Sequence, residues 1–138
     1  MSLPAGATNY FNEEEGYVPE GYGNSHEGAE CAITVYGKEF AYEGHSNSFV
    51  VDIDAYGYIT LKNVVKKAGK NNAMVIVLKS AAFTGYSIVT ELSDNFGGSL
   101  GKANLTISGK KITIKVPELT GLTVGQIQEA KWKISVSD

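Results

Sequence analysis

Asp52 and Asp54 are the residues whose types and spacing come closest to chemistry. Two apart in an extended segment, both carboxylates project from one face. That arrangement suits half of a Ca2+ site, or a paired acid and base. The stretch DIDAYGYITLKN, starting at Asp52, opens like a calcium loop, with aspartate at its first and third positions and glycine at its sixth. It does not finish like one. Tyr56 stands fifth and Asn63 twelfth, where an EF-hand needs a bidentate glutamate, and β-branched residues run through the rest. The EF-hand is excluded. The pair reads as the solvated side of a strand whose other side carries Phe49, Val51 and Ile53, and no metal is expected beyond this one candidate.

The other reactive types are scarce. His26 and His45 are the two histidines, and Ser46 and Ser48 lie beside the second. A serine hydrolase needs its nucleophile on a constrained turn, such as G-x-S-x-G, and none is present. Gly97, Gly98 and Gly101 do not follow a strand-to-helix pattern, so neither a dinucleotide fingerprint nor a P-loop is formed. Cys31 is the single cysteine, which rules out an intramolecular disulfide and a thiolate cluster; at the head of a strand it reads as a small buried apolar residue. The triplet Asn104-Leu105-Thr106 matches a glycosylation acceptor but lies within a strand pattern. These residues point to no enzyme and to no cofactor.

The elements that would position a surface are clearer. Leu105 and Ile107, the turn Ser108-Gly109-Lys110, then Ile112, Ile114 and Val116 form a hairpin that Pro117 ends. Cys31, Ile33 and Val35 alternate into a second hairpin through Phe40 and Tyr42. Phe49, Val51 and Ile53 lead through Ala55-Tyr56-Gly57 to Ile59 and Leu61. The run from Ala73 to Lys79 is apolar on both parities, which predicts a central strand covered on both faces. Tyr86, Ile88, Thr90 and Leu92 alternate, and Trp132, Ile134 and Val136 close the chain as a strand with Trp132 in the core phase. Residues 66–72 read as a polar loop, and residues 123–130 as one or two helical turns capped by Thr123. The sum is an all-β protein, a single β-sandwich of about nine strands, immunoglobulin-like or jelly-roll. No helix is long enough for a βαβ crossover.

Charge divides the 138 residues unevenly. Residues 1–30 carry six glutamates and no cation, leaving nine acids and all twelve lysines to the rest, with no arginine anywhere. Arginine is the usual residue for bidentate phosphate and base-edge recognition. Its absence, with an acidic balance, argues against nucleic acid and against an anionic membrane surface. The first thirty residues lack the basic and apolar regions of a signal peptide, and no apolar run approaches the ~20 residues of a membrane span. Residues 1–28 form an extended acidic arm rich in tyrosine and glycine, unable to bury a core alone; residues 29–138 form the sandwich.

An acidic arm on a lysine-bearing domain suits contact between copies of the chain or with another structural protein. Tyr10, Phe11, Tyr17 and Tyr22 would supply the apolar part of that contact, Glu13, Glu14 and Glu15 the charge, and Lys66, Lys67 and Lys70 the receiving side. In architecture alone, the build resembles virion decoration and fibre proteins. A structural, non-enzymatic assembly protein of a virion surface or an extracellular filament is therefore the expectation. The alternative is a carbohydrate-binding module that offers Tyr56, Tyr58 and Trp132 to sugar rings.

Overall fold

A computed structural model describes residues 13–14, 24–28, 40–43, 46–54, 56–71, 73–97 and 102–137. The described chain is nearly all β. In chain order the strands are β1 (Glu13–Glu14), β2 (Asn24–Gly28), β3 (Phe40–Glu43), β4 (Asn47–Ile53), β5 (Tyr58–Val65), β6 (Gly69–Asn71), β7 (Met74–Lys79), β8 (Tyr86–Asp94), β9 (Asn104–Ser108), β10 (Lys111–Val116), β11 (Leu119–Leu122) and β12 (Ile127–Val136). A single 3-10 turn, Ala81–Phe83, joins β7 to β8, with the Ser80 hydroxyl accepting from the Ala82 N–H.

Three sheets result. One runs β1-β2-β7-β10-β9, a second β3-β4-β5-β12-β8, and β11 pairs with β6 in a small third. The alternating residues of both large sheets meet in one core. Phe49, Val51 and Ile53 of β4, Ile59 and Leu61 of β5, and Ala130, Trp132 and Ile134 of β12 face Met74, Ile76 and Leu78 of β7, Ile112, Ile114 and Val116 of β10, and Leu105 of β9. Phe83 and Phe96, from the connections, are buried with them. Period-two burial on a pleated strand is what half-covered sheets dictate. β7 departs from it as its composition predicts: Val75 and Val77 on its other face are buried as well.

Three expectations are corrected. Residues 123–130 are not helical: Gly121 and Gly125 adopt φ of +67° and +87°, a turn carries the Gln126 N–H to the Thr123 carbonyl, and β12 begins at Ile127. Thr123 caps nothing there; its own N–H donates to Gln126 Oε1 at 3.2 Å. Residues 69–71, expected in a loop, pair with β11. On β8 the simple alternation fails. Its register against β12 shifts twice, so Tyr86 stands opposite Val136 while Ile88 stands opposite Ser135. Each extra residue is a bulge that changes which face follows, and Ile88 and Leu92 end up exposed.

The N-terminal region contributes to the first sheet. β2 lies parallel to β7, Asn24 opposite Met74 and Glu27 opposite Val77, and β1 pairs with β2 on its outer side. Residues 24–28, expected in the arm, are thus a strand of the sheet. The first part of the hairpin expected over residues 31–42 lies outside the described residues; Phe40 and Tyr42 fall in β3.

Candidate functional site

Large apolar side chains left in water are the places where a folded surface invites contact. Among the described residues they come as three pairs in three different structural settings: Tyr56 with Tyr58, Ile88 with Leu92, and Val124 with Ile127.

The tyrosine pair sits on the connection from β4 to β5. Asp54 organises it: one carboxylate oxygen, Oδ1, accepts the N–H of Tyr56 at 2.8 Å and of Tyr58 at 3.0 Å. The Asp54 N–H donates to the Tyr58 carbonyl at 3.0 Å, closing the turn. Gly57, at φ +92°, lies against β12, and its carbonyl accepts the Ile134 N–H at 2.9 Å. Tyr56 is 70% exposed and Tyr58 43%, and the Lys133 ammonium stands 5.1 Å from the Tyr58 ring centroid, within cation–π range. Trp132, expected to share this platform, does not reach it. It is 2% exposed, paired with Ile59 on the core face, because β12 alternates and its neighbour Lys133 takes the outer face. Asp52 is exposed on β4, whereas Asp54 is held in the turn. Among the described residues no group of three or more His, Cys, Asp or Glu is placed to hold a metal ion.

The second pair lies on β8, at the end of its sheet among the described strands. On the same strand, Glu91 stands opposite Trp132 and reaches Lys102 Nζ at 3.7 Å. Asp94 Oδ1 accepts the Phe96 N–H at 2.8 Å, while Asp94 Oδ2 is enclosed without a hydrogen-bond partner among the described residues. Burial pushes the Asp94 carboxyl above its ordinary range, with the Glu91 charge adding to the effect and the Phe96 N–H and Lys102 opposing it.

The third pair belongs to one end of the molecule. Gly125 N–H donates to the Val65 carbonyl at 2.8 Å, Val65 N–H to the Gln126 carbonyl at 2.9 Å, and Lys66 N–H to the Ser46 carbonyl at 2.8 Å. These bonds tie the turn before β12, the exit of β5 and the entry of β4 side by side. Val124 is 68% exposed and Ile127, opposite Val64, 51%. Lys66, Lys67 and Lys70 are exposed beside them, Lys70 with Glu118 at 3.3 Å. β7 starts at this end, so β2, parallel to it, also starts here. Beneath lies a polar part of the core. The Asn71 amide donates to Asn47 Oδ1, and Asn63 Nδ2 donates to Gln128 Oε1 at 3.0 Å.

The expected arm contacts divide. Glu13 and Glu14 are in β1, paired with Gly28 and Glu27; Tyr10, Phe11, Glu15, Tyr17 and Tyr22 lie outside the described residues. Sequence reasoning finds Lys66, Lys67 and Lys70 but misses Val124 and Ile127, because a helical reading of residues 123–130 hides them. Continuing the alternation of Trp132 and Ile134 back through Ala130 and Gln128 would have placed Ile127 on the outer face. No family model, curated protein or solved structure matches the chain.

Proposed function

We propose that the protein is a non-enzymatic structural component that assembles with its own copies or with another structural protein, as on a virion surface (decoration or fibre) or in an extracellular filament. Its architecture is a β-sandwich of immunoglobulin-like or jelly-roll type, and its acidic N-terminal arm makes the contact with neighbours. One observation carries this reading: a strand from the acidic segment, β2, is laid in parallel on β7. Strand addition gives affinity through the backbone and leaves specificity to flanking side chains, and an added strand is the kind of element that assemblies use to join subunits. The arm's flanking side chains are carboxylates and tyrosines, and the rest of the chain carries all twelve lysines.

The test is sedimentation velocity on the full chain and on a chain starting at Asn24, which keeps β2. The full chain assembles, and the shortened chain stays folded and remains monomeric. Equal assembly by both makes the arm a passive leader. A second reading has its own observation, the rigid display of Tyr56 and Tyr58 on a turn locked by Asp54 and Gly57. Retardation of the protein in polysaccharide gels, abolished by Tyr56→Ala with Tyr58→Ala, would favour that reading.

A further inference from the structure

We infer that the outer face of β5 and β12, at Tyr58, Lys131 and Lys133, binds an acidic glycan, one whose sugars carry a carboxylate on the ring. The inference rests on the second reading above and names the ligand class of that surface. Tyr58 alternates with buried Ile59 and Leu61 on β5, and Lys131 and Lys133 alternate with buried Trp132 and Ile134 on β12. All three therefore stand on the side of the sheet away from the core. The register sets them side by side. Tyr58 is opposite Lys133, and Lys133 is opposite Thr90 of β8; two residues along, Thr60 is opposite Lys131. With strands ~4.8 Å apart and a rise of ~3.4 Å per residue, the first row is ~10 Å wide and Lys131 rises ~7 Å from Lys133. The Lys133 ammonium, 5.1 Å from the Tyr58 centroid, is held beside the ring by cation–π attraction. Tyr56, 70% exposed on the same locked turn, extends the aromatic surface.

A surface of that make-up selects among ligands. A sugar offers its C–H face to an aromatic ring and its hydroxyls to Thr60 and Thr90. A neutral sugar leaves both ammoniums unused. A carboxylate borne on the sugar ring lies next to the stacked face, where Lys133 stands, and takes a charge-assisted hydrogen bond. A carboxylate on the following sugar comes within reach of Lys131. The face carries acids too: Glu129 lies 3.6 Å from Lys131, and Asp52 stands opposite Thr60. Lys62, opposite Glu129, adds a third cation, so the charge on the outer sides of β4, β5 and β12 remains positive.

The experiment is affinity electrophoresis of the full-length protein in gels containing one polymer each. Polygalacturonate and polysialic acid are the two sources of ring carboxylates. Methyl-esterified polygalacturonate removes the charge and keeps the sugar, and dextran sulfate keeps charge without the carboxylate. Retardation is expected with polygalacturonate or polysialic acid, whichever backbone fits, and not with the ester or with dextran sulfate. Lys133→Met should weaken it ~10-fold or more, the loss of one charge-assisted hydrogen bond. Tyr58→Ala should abolish it, while Tyr58→Phe, which keeps the ring, should retain it. Lys110→Met with Lys111→Met, at the turn of the other large sheet, removes two cations and should change nothing. Urea midpoints of the variants confirm that each is folded. Equal retardation by the acid and its ester, lost in the Tyr56→Ala, Tyr58→Ala chain, would overturn the acidic ligand and leave the tyrosine platform standing. Retardation by dextran sulfate as strong as by the sugar acids, or an equal loss in the Lys110, Lys111 variant, would overturn it as well, since charge alone would then suffice. Retardation by none of the polymers removes both the ligand and the platform.

Discussion

Replacing Gly57 with alanine isolates the contact that positions the tyrosine turn against β12. A Cβ built on Gly57 falls 2.5 Å from the Ile134 carbonyl oxygen and 3.3 Å from Ile134 Cγ1, and the obstacle is backbone, which cannot swing away. Two costs add. Holding a residue with a Cβ at φ +92° costs roughly 1–2 kcal/mol. Pushing β12 back also breaks the 2.9 Å bond from the Ile134 N–H to the Gly57 carbonyl, worth about 1 kcal/mol. The expected loss is about 2–3 kcal/mol. Gly85 is the control: its φ is +89° and nothing lies within 4 Å of its Cβ direction. Gly85→Ala therefore carries the first cost and not the second, and the change in unfolded-chain entropy is common to both variants. In urea titrations Gly57→Ala should fall at least ~1 kcal/mol below Gly85→Ala with the same slope, a difference of several degrees in Tm for a chain of this size. Equal losses, within about 0.5 kcal/mol, would mean that the approach of β12 to the turn does not hold Gly57.

Other outcomes follow from the same geometry. Asp54→Ala removes the acceptor of two N–H groups and should cost about 1–2 kcal/mol, readable by urea titration. Ile76→Ala and Ile114→Ala, opposite each other at 0% exposure, should each cost about 2–5 kcal/mol, and the double variant should cost measurably less than their sum. Asp94 gives a pH signature. With its folded pKa raised by burial, the folded chain holds a proton that the unfolded chain has released from about pH 3.9 upward, so this group's contribution to stability falls as pH rises through that window. Asp94→Asn should therefore gain on the wild type in urea midpoint between pH 3.5 and pH 6.5, and a constant difference would refute the enclosed carboxyl.

Where the pattern is periodic and the turn residues are local, sequence and structure agree. The hairpin of β9 and β10 is legible because Gly109, at φ +60°, supplies the turn and Leu105, Ile112 and Ile114 keep one phase. The doubly buried β7 is legible because only a strand covered on both faces can use Met74 to Leu78 in succession. The rest depends on long-range pairing. Nothing local marks the bulges of β8, which exist only relative to β12. The pairing of β6 with β11 joins residues 69–71 to residues 119–122, and its few polar residues carry no period. The candidate surface shows the same division. Exposed lysines are visible as composition, whereas the exposure of Val124 and Ile127 follows from a turn and a strand start that read locally as a helix.

The position of β12 has a consequence for the order in which this molecule is made. It is the last of the described strands in the chain, yet it lies inside its sheet, between β5 and β8. Until residues 127–136 have left the ribosome, β5 and β8 have no strand between them and Trp132 is missing from the core. The partly synthesised chain therefore carries two unpaired strand edges, with Ile88 and Leu92 already on one of them. Such edges recruit other chains, and that of β5, made before β8, waits longest beside its missing partner.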